Sequence, residues 1–282
     1  MAQRRKSGSA AVGETLHDEI GFWSEIKLDI LKKYWPEYTK IVSKRFRTVY
    51  ADAFAGSGKH VSKERGEFVM GSPARALQVV PPFDEYHFID MDAAKIRSLE
   101  TLAVERTDVF VHHGDCNDIL VREIFPRAEY SDYRRAVCLL DPYSSQLDWS
   151  IVARAAKMRS IEIFLNFPIM DINRNVLHAK ASERKQKQMT RFWGDESWRE
   201  SAYRSMPLLF GETEQQKIEN RELVAAFTAR MKEVGFGFVP EPLAMRNSRH
   251  ATIYYLIFAG NNETGAKIVD WIFNDYRRKG YG

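Results

Sequence analysis

Apolar and polar residues alternate with two different periods along most of the chain, and this pattern predicts an α/β fold. Short apolar runs, typical of buried strands, occupy residues 47–54, 85–89, 109–113, 135–140 and 161–167. Segments with helical periodicity lie between them, at 93–106, 117–125 and 149–158. Strands that alternate with helices at this spacing predict parallel crossover units, with helices on both faces of one sheet.

The flanks of this alternating region follow other patterns. Residues 1–14 are small, polar and charged, and we expect them to form a disordered tail. Apolar positions between Asp18 and Val42 predict one long helix, which contains Pro36. Beyond the fifth strand, residues 170–235 predict a mainly helical insert that contains no strand.

The C-terminal part predicts an antiparallel hairpin followed by a helix. Residues 241–245 and 252–259 have the pattern of strands joined by a polar turn, and 265–278 has an apolar helical face. Five alternating units closed by such a hairpin make a mostly parallel seven-stranded sheet, the Rossmann-like plan of class I methyltransferases. We therefore expect residues 15–282 to form a single α/β domain of this class, with an N-terminal helix and the helical insert.

Composition limits the cellular context and the range of chemistry. The 282-residue chain is 44% apolar, enough for one large core. It lacks any apolar run of the roughly 20 residues that cross a bilayer. Cys116 and Cys138 are the only cysteines, too few for a disulfide framework or a thiolate zinc site, and the histidines lack metal-ligand spacing. We expect a reduced, cytoplasmic protein without a metal and without a membrane contact.

The net charge of +4 is modest, but the basic residues are clustered. Clusters occur at 4–6, 44–47, 184–187 and 277–279. Lysines and arginines in such clusters neutralise nucleic-acid phosphates, and they also occur as ordinary solvated helix ends. Nucleic acid therefore stays open as a partner.

The segment Thr48–Gly58 is the most informative part of the chain. A strand-like run ends near Asp52 and leads into Ala55-Gly56-Ser57-Gly58, where two glycines permit a tight turn and close approach of a ligand. A P-loop is excluded, because His60 stands after Gly58-Lys59 where a Ser or Thr must bind magnesium. An NAD fingerprint fits poorly, since Val61 occupies the position of its third glycine.

S-adenosylmethionine fits this loop better than either alternative. Its amino acid end can meet the loop backbone and the Asp52 carboxylate. Its ribose hydroxyls can meet an acceptor at Asp90, and its adenine amine can meet an acceptor at Asp115. Each aspartate alone can equally be a helix cap or a turn residue, so the order of the strand-end acids is what favours the cofactor. The predicted cofactor-binding residues are Asp52, Phe54, Ala55, Gly56, Gly58, Asp90, Met91, Asp115 and Cys116.

Several stretches resemble known groups of proteins. Asp52 to Gly58 is similar to the Asp-x-Phe-x-Gly-x-Gly motif of amino-methyltransferases, and Asp141-Pro142-Tyr143 is similar to their Asp-Pro-Pro-Tyr/Phe motif. The closer resemblance is to the three-Cys-motif partner protein family, bacterial and archaeal proteins with a methyltransferase-like fold. It is carried, in this order, by residues 23–31, 52–58, 71–73, 140–143, 164–168, 172–174, 191–194 and 256–273.

The resemblance to amino-methyltransferases implies roles for the second motif. Asp141 would accept a hydrogen bond from the target exocyclic amine, Pro142 would supply a backbone carbonyl, and Tyr143 would stack on a flipped-out base. This chain has one proline where those enzymes have two, so the loop is less rigid. The other interpretation is that Asp141 and Pro142 end a strand in a turn while Tyr143 covers the core.

Residues after the fifth strand are predicted to form the substrate side of the site: Asn166, Asn173 and Arg174. The insert mixes basic and aromatic residues in a way that suits a nucleic-acid groove, although aromatic pairs at helical spacing are more often core. These residues are Arg184, Lys185, Lys187, Arg191, Phe192, Trp193, Trp198 and Arg199.

Two functions therefore stay open. One is an S-adenosylmethionine-dependent methyltransferase that acts on an amine of nucleic acid. The other is a non-catalytic partner of the three-cysteine protein after which the family is named. The family resemblance implies a phage- or defence-associated context for the methyltransferase, and it also implies a protein partner.

Overall fold

The computed structural model describes residues 19–62, 66–178, 180–207, 213–247 and 249–281, so the predicted tail at 1–14 lies outside the described residues. The strands are β1 (Glu19–Ile20), β2 (Arg47–Asp52), β3 (Lys59–Ser62), β4 (Phe68–Met70), β5 (Glu85–Asp90), β6 (Val109–His113), β7 (Arg134–Leu140), β8 (Ile161–Phe167), β9 (Tyr203–Pro207), β10 (Thr213–Lys217), β11 (Leu243–Arg246) and β12 (Thr252–Ala259). The α-helices are α1 (Phe22–Val42), α2 (Ser72–Ala76), α3 (Ala93–Ala103), α4 (Cys116–Ile119), α5 (Trp149–Met158), α6 (Ile169–Asn175), α7 (Glu183–Trp193), α8 (Trp198–Ala202), α9 (Asn220–Glu233) and α10 (Glu263–Arg278).

Seven strands form one sheet in the order β11-β12-β8-β7-β2-β5-β6. Strands β6, β5, β2, β7 and β8 are mutually parallel, β12 is antiparallel to β8, and β11 is antiparallel to β12. The prediction of a mostly parallel seven-stranded sheet closed by an antiparallel hairpin is confirmed. The chain builds outward from β2 through β5 to β6 and then returns to the other side of β2, which creates a topological switch point between β2 and β7.

Both faces of the sheet are covered, so its central strands are buried on both sides. In β7, Ala136, Cys138 and Leu140 face a core that includes residues of α5, α7 and α9. The alternate residues Val137 and Leu139 face a second core, which includes residues of α1, α3 and α10. This arrangement explains why the strands are continuous apolar runs instead of alternating ones.

Helix α1 packs along the second core through a buried stripe that includes Ile30, Leu31 and Trp35. The ring of Trp35 meets Tyr50 of β2 edge-on, with centroids 5.0 Å apart. Pro36 lies inside the helix, as predicted. The N-terminal helix is thus part of the core, and its first turns reach the carboxyl edge of the sheet.

The prediction of an insert without strands is wrong. Helices α6, α7 and α8 follow β8 as expected, but an antiparallel hairpin of β9 and β10 precedes α9. This hairpin forms its own two-stranded sheet, apart from the seven-stranded one. The sequence of β10, Thr-Glu-Gln-Gln-Lys, lacks the apolar residues of a core strand and therefore gave no strand signal.

Residues 59–70, for which no strand was predicted, contain β3 and β4. These two strands pair with each other, and β3 also pairs with β1. Gly71 is the N-cap of α2. The helix predicted for 117–125 ends at Ile119 and continues as a π-helical turn. Among the described residues, no helix is both long enough and apolar enough to cross a membrane.

Candidate active site

A cleft of about 1040 Å³ opens where the parallel strands end. Its floor is made by the segments that follow β2, β5, β6, β7 and β8, because the carboxyl ends of parallel strands share one edge of the sheet. The start of α1 forms one wall and α7 forms another. Of the predicted site residues, Phe54, Ala55, Gly56, Asp90, Met91, Asp115, Cys116, Asp141, Pro142, Tyr143 and Asn166 line this cleft.

The glycine loop after β2 takes the tight turn that its sequence predicts. Gly56 and Gly58 have φ angles of 65° and 76°, a region that favours glycine. The Ala55 amide donates to the Ile89 carbonyl at 2.9 Å, and the Gly56 amide donates to Asp90 Oδ2 at 2.9 Å. Gly58 lies outside the cleft lining, and a Cβ there would stand 2.6 Å from Leu102 Cδ1. Its small size is therefore needed for packing against α3.

Asp90 ends β5 and connects the glycine loop with the turn before α3. Besides the Gly56 amide, its carboxylate accepts from the Asp92 amide at 2.9 Å. Each carboxylate oxygen can accept two hydrogen bonds, so Asp90 keeps acceptor capacity toward the cleft. Asp92, two residues beyond the end of β5, caps α3 by accepting from the Ala94 amide at 2.7 Å.

Asp115 and Cys116 follow β6 and also line the cleft. Asp115 Oδ1 accepts from both the backbone and the side-chain nitrogen of Asn117, each at 2.9 Å, and so caps α4. No hydrogen bond from the described residues reaches Asp115 Oδ2. Burial raises the pKa of Cys116 to about 12, so this residue presents a neutral thiol to the cleft.

Asp52 is the one strand-end acid that the structure places outside the cleft lining. It is fully buried, and its carboxylate accepts from the Phe54 amide at 3.3 Å and hydrogen-bonds with Ser72, which does line the cleft. Burial raises the pKa of Asp52 to about 6, while its bond to Ser72 works in the opposite direction. The expected direct contact between Asp52 and a ligand does not fit this geometry. Its connections run through Ser72 and the loop amide instead.

Asp141 is held from two sides at the end of β7. The buried ammonium group of Lys27 in α1 forms an ion pair with Asp141 Oδ2, and Asn166 Nδ2 of β8 donates to Asp141 Oδ1 at 2.7 Å. The ring of Tyr254 in β12 lies 5.7 Å from Lys27 Nζ. This network fixes the orientation of the carboxylate relative to the cleft.

Tyr143 points away from the core. Its side chain is 73% exposed, so the interpretation that it covers the core is wrong, and the ring lies 5.8 Å from Lys95 Nζ of α3. Pro142, by contrast, is buried. The exposed ring therefore lies at the mouth of the cleft, two residues after the fixed carboxylate of Asp141.

The cleft lining includes buried polar atoms that have no hydrogen-bond partner among the described residues. Ser145 Oγ and Asn166 Oδ1 are two of them, in residues that are 2% and 9% exposed. Buried polar groups are nearly always hydrogen-bonded in native proteins. Their position beside Asp141 therefore indicates a cleft built to receive a polar ligand.

Helix α7 gives the cleft a basic wall. Arg184, Lys185, Lys187 and Arg191 line it. Lys187 pairs with Glu183 at 2.6 Å and Arg191 with Asp148 at 2.7 Å, both within reach of solvent. Arg184 and Lys185 form no ion pair with any described residue.

The aromatic residues of the predicted groove do not belong to this wall. Phe192, Trp193 and Trp198 are at most 1% exposed, and Phe192 stacks on Phe227 of α9 with centroids 5.3 Å apart. Arg199 pairs with Glu196 on the surface. The interpretation of these aromatics as a nucleic-acid groove is therefore wrong, because they form the interior face of the insert.

Two predicted substrate residues lie away from the cleft lining. Asn173 donates to Asn220 Oδ1 at 2.9 Å and joins α6 to α9. Arg174 is exposed on α6, one position further along the same helix. The turn of α6 directs these side chains away from the strand ends, so only Asn166 of the three predicted residues is in the cleft.

Sequence reasoning missed the contribution of α1 and β12. Ser24, Lys27 and Tyr254 line the cleft, and none was predicted as a site residue. Lys27 carried a usable signal, because it falls on the same helical face as the apolar residues Trp23 and Tyr34. A lysine is rarely buried unless it is paired. In the parts of the chain that the structure describes, no group of three or more His, Cys, Asp or Glu side chains is arranged to hold a metal ion.

The strand order and the position of the cleft define a Rossmann-like class I methyltransferase fold. No family model and no curated protein matches the chain, so membership of the three-Cys-motif partner family stays a prediction. Among solved structures, protein LPL1258 from Legionella pneumophila, of the DUF519 family, aligns with a TM-score of 0.56 at 13% identity, over 93% of this chain and 94% of that one. An O-methyltransferase family protein from Burkholderia thailandensis aligns with a TM-score of 0.40 at 12% identity, over 85% of this chain and 56% of that one. At such identities the likeness concerns the fold alone.

Proposed function

We propose that this protein is an S-adenosylmethionine-dependent methyltransferase that acts on an exocyclic amine of nucleic acid. One observation carries the proposal. A single cleft of about 1040 Å³ is lined by the glycine loop and strand-end acids on one side and by Asp141-Pro142-Tyr143 on the other. We also propose a cytoplasmic location, since both cysteines are free and buried.

The lining residues fit the cofactor's functional groups. Asp90 retains acceptor capacity for the ribose hydroxyls, and Asp115 Oδ2 can accept from the adenine amine. Gly56 exposes backbone to the cleft, and a Cβ there would point toward His60, 3.6 Å away. The neutral thiol of Cys116 and the side chain of Met91 offer apolar surface beside these acids.

The chain's own contribution to the reaction would be positioning. The bound cofactor supplies an electrophilic methyl group on a sulfonium, so the attacking amine needs orientation more than activation. Asp141, held by Lys27 and Asn166, is placed to accept a hydrogen bond from that amine. Asn166 Oδ1, buried and without a partner among the described residues, can accept a second one. Tyr143 offers an exposed ring for stacking on the base.

The basic wall supports nucleic acid as the substrate class. Arg184 and Lys185 line the cleft and lack acidic partners among the described residues, because the nearby acids Glu183 and Asp148 pair with Lys187 and Arg191. Cations of this kind contact phosphates and make binding dependent on salt. A free nucleotide would need one such contact, whereas the cations along α7 can contact several phosphates of a nucleic-acid strand.

The cofactor claim is tested by calorimetry with S-adenosylhomocysteine. Replacing Asp90 with Ala removes an acceptor worth roughly 1.5–3 kcal/mol, so binding should weaken roughly 10- to 150-fold. Asp92→Ala is the matched control, because it removes a neighbouring acid that caps α3 but does not line the cleft. Absence of any heat from the wild type, or equal affinities for wild type and Asp90→Ala, would end the proposal.

A second candidate is a non-catalytic partner of a three-cysteine protein. Two observations favour it. Asp141 is held from two sides, as an acid with a purely structural role in a turn would also be. The motif also has one proline where amino-methyltransferases have two. Gly56→Arg would fill the cofactor loop without touching the outer surface. Undiminished co-purification of that variant with the three-cysteine protein would support this candidate, and failure of the wild type to associate would remove it.

A further inference from the structure

A second surface of interest lies at the edge of the sheet opposite the cleft. Here β2 and β7 begin side by side, with Arg47 paired in register with Arg134, and the Arg47 amide donates to the Tyr133 carbonyl at 3.0 Å. Strand β2 is six residues long, so this edge lies roughly 17–20 Å from the cleft. Nothing in the proposed methyl transfer uses it.

Four side chains at this edge form a continuous stack, which we name the arginine–aromatic column: Tyr133, Phe46, Arg135 and Tyr130. The Arg135 guanidinium lies between two rings, 3.9 Å from the centroid of Phe46 and 3.9 Å from that of Tyr130. The ring of Tyr133 stacks on Phe46, with centroids 6.3 Å apart and planes 22° apart. The two tyrosines that end the column are the most exposed members, 69% for Tyr133 and 56% for Tyr130.

Tyr133 adopts a backbone conformation that tyrosine rarely takes. Its φ angle is 55°, in the left-handed region that glycine and asparagine favour. Burial of the ring in the core cannot explain why a tyrosine occupies this backbone conformation, because most of the side chain is exposed. A strained backbone that presents a large ring to solvent points to a use for that ring.

The column is surrounded by cations. Lys44, Arg45 and Arg47 are exposed, and none of them forms an ion pair with a described residue. Four acids lie near these strand starts: Glu129; Asp132, which accepts from the Ser131 hydroxyl at 3.1 Å; Asp84, which accepts from the Thr48 amide at 2.7 Å; and Glu85, which pairs with Arg134 and with Arg127. Even with all four acids ionised, the six cationic side chains leave the surface positive: Lys44, Arg45, Arg47, Arg127, Arg134 and Arg135.

We propose that this surface binds single-stranded nucleic acid, with bases stacked on Tyr133 and Tyr130 and phosphates on Lys44, Arg45 and Arg47. Exposed rings interleaved with cations are the combination that binds unpaired strands, since every base offers a π-face and every nucleotide a phosphate. A duplex keeps its bases stacked internally and cannot use the tyrosines. The proposal does not rest on methyl transfer or on the cofactor.

The test is fluorescence anisotropy with a labelled single strand of about 12 nucleotides, as RNA and as DNA, in the absence of cofactor. Tyr133→Asn removes the ring and suits the left-handed backbone, so the variant should fold at least as well as the wild type. Its affinity should fall roughly 5- to 150-fold, the loss of one stacked base. The triple variant Lys44→Ala, Arg45→Ala, Arg47→Ala should also weaken binding and lower the salt slope by about 2.

Exposed cations outside the cleft lining provide the matched control. Arg174→Ala with Lys180→Ala removes two cations that follow β8, at the other edge of the sheet, and should leave binding of the short strand within about threefold of wild type. A duplex of the same sequence should bind with no dependence on Tyr133. The proposal is overturned if the wild type fails to bind single strands, if Tyr133→Asn and the triple variant bind as the wild type does, or if only the control variant loses binding.

Discussion

Replacing Glu162 with Gln isolates a buried carboxyl group that the proposed chemistry does not use. Glu162 lies in β8 on the α1 side of the sheet, 5% exposed, and its carboxylate accepts a hydrogen bond from the Tyr34 hydroxyl of α1. Burial raises the pKa of Glu162 from 4.5 to about 7, and the hydrogen bond from Tyr34 only partly opposes this. Glutamine has the shape of the protonated acid and keeps an oxygen that can accept from Tyr34.

The raised pKa of Glu162 makes the native protein hold a proton that the unfolded chain releases between pH 4.5 and about 7. The free energy of unfolding therefore falls as the pH rises through this window, by roughly 3 kcal/mol in all. Below the window the acid is protonated in both states. Above it, only the wild type carries a buried carboxylate. We expect Glu162→Gln to match the wild type near pH 4.5 and to exceed its stability by roughly 3 kcal/mol near pH 8.

Urea unfolding followed by circular dichroism at about pH 4.5, 6 and 8 measures this difference. Other buried groups titrate in both proteins and cancel, including His87, whose pKa burial lowers to about 4. Tyr34→Phe is the control, because it removes the hydrogen-bond donor but leaves the carboxyl group, and it should destabilise the protein while the pH dependence persists. A stability difference between wild type and Glu162→Gln that is constant with pH would refute the reasoning, as would a less stable variant near pH 8.

Two further predictions concern the Lys27–Asp141 ion pair of the cleft and the glycine loop beside it. Lys27→Met leaves Asp141 without its ammonium partner, so the free energy of unfolding should fall by roughly 3 kcal/mol, near the lower end for a broken buried pair. A double-mutant cycle with Asp141→Asn should show a coupling energy above about 1 kcal/mol. Additive effects of the two substitutions would contradict the pairing. Gly58→Ala meets both a φ of 76° and Leu102 Cδ1 at 2.6 Å, whereas Gly66→Ala meets a φ of 65° and nothing within 4 Å. Thermal unfolding should therefore show a larger loss for Gly58→Ala, and equal losses would mean that the contact with Leu102 relaxes freely.

The central sheet could be predicted because its strands are buried on both faces. β6, β8 and β12 begin and end at the predicted residues, and α5 does as well. In each case a mainly apolar run or a clear helical period meets a turn or cap at its ends. Where an element packs on one side only or stands outside the main sheet, as β10 does, the polar sequence gives no comparable signal.

The rim of the cleft was predictable in outline, because the carboxyl ends of parallel strands must meet at one edge. Asp90, Asp115 and Asp141 line one cleft, as expected. Asp52 has the same local sequence setting as Asp90 but is buried, since α2 places Ser72 between it and the cleft. That difference depends on where α2 packs after the long segment that separates it from β2, and no local sequence pattern encodes this position.

For helix α1, the sequence pattern predicts the helix but not its contacts with the site. Its amphipathic period predicts a helix but cannot say which strands it crosses. In the structure, Lys27 reaches Asp141 at the end of β7, and two turns later, roughly 10 Å along the axis, Tyr34 reaches Glu162 in the neighbouring strand β8. Both contacts join a polar group on the buried face of α1 to an acid of the sheet. The candidate catalytic carboxylate is therefore positioned by the same helix face that seals the second core, so substitutions that shift α1 should alter stability and the geometry of Asp141 together.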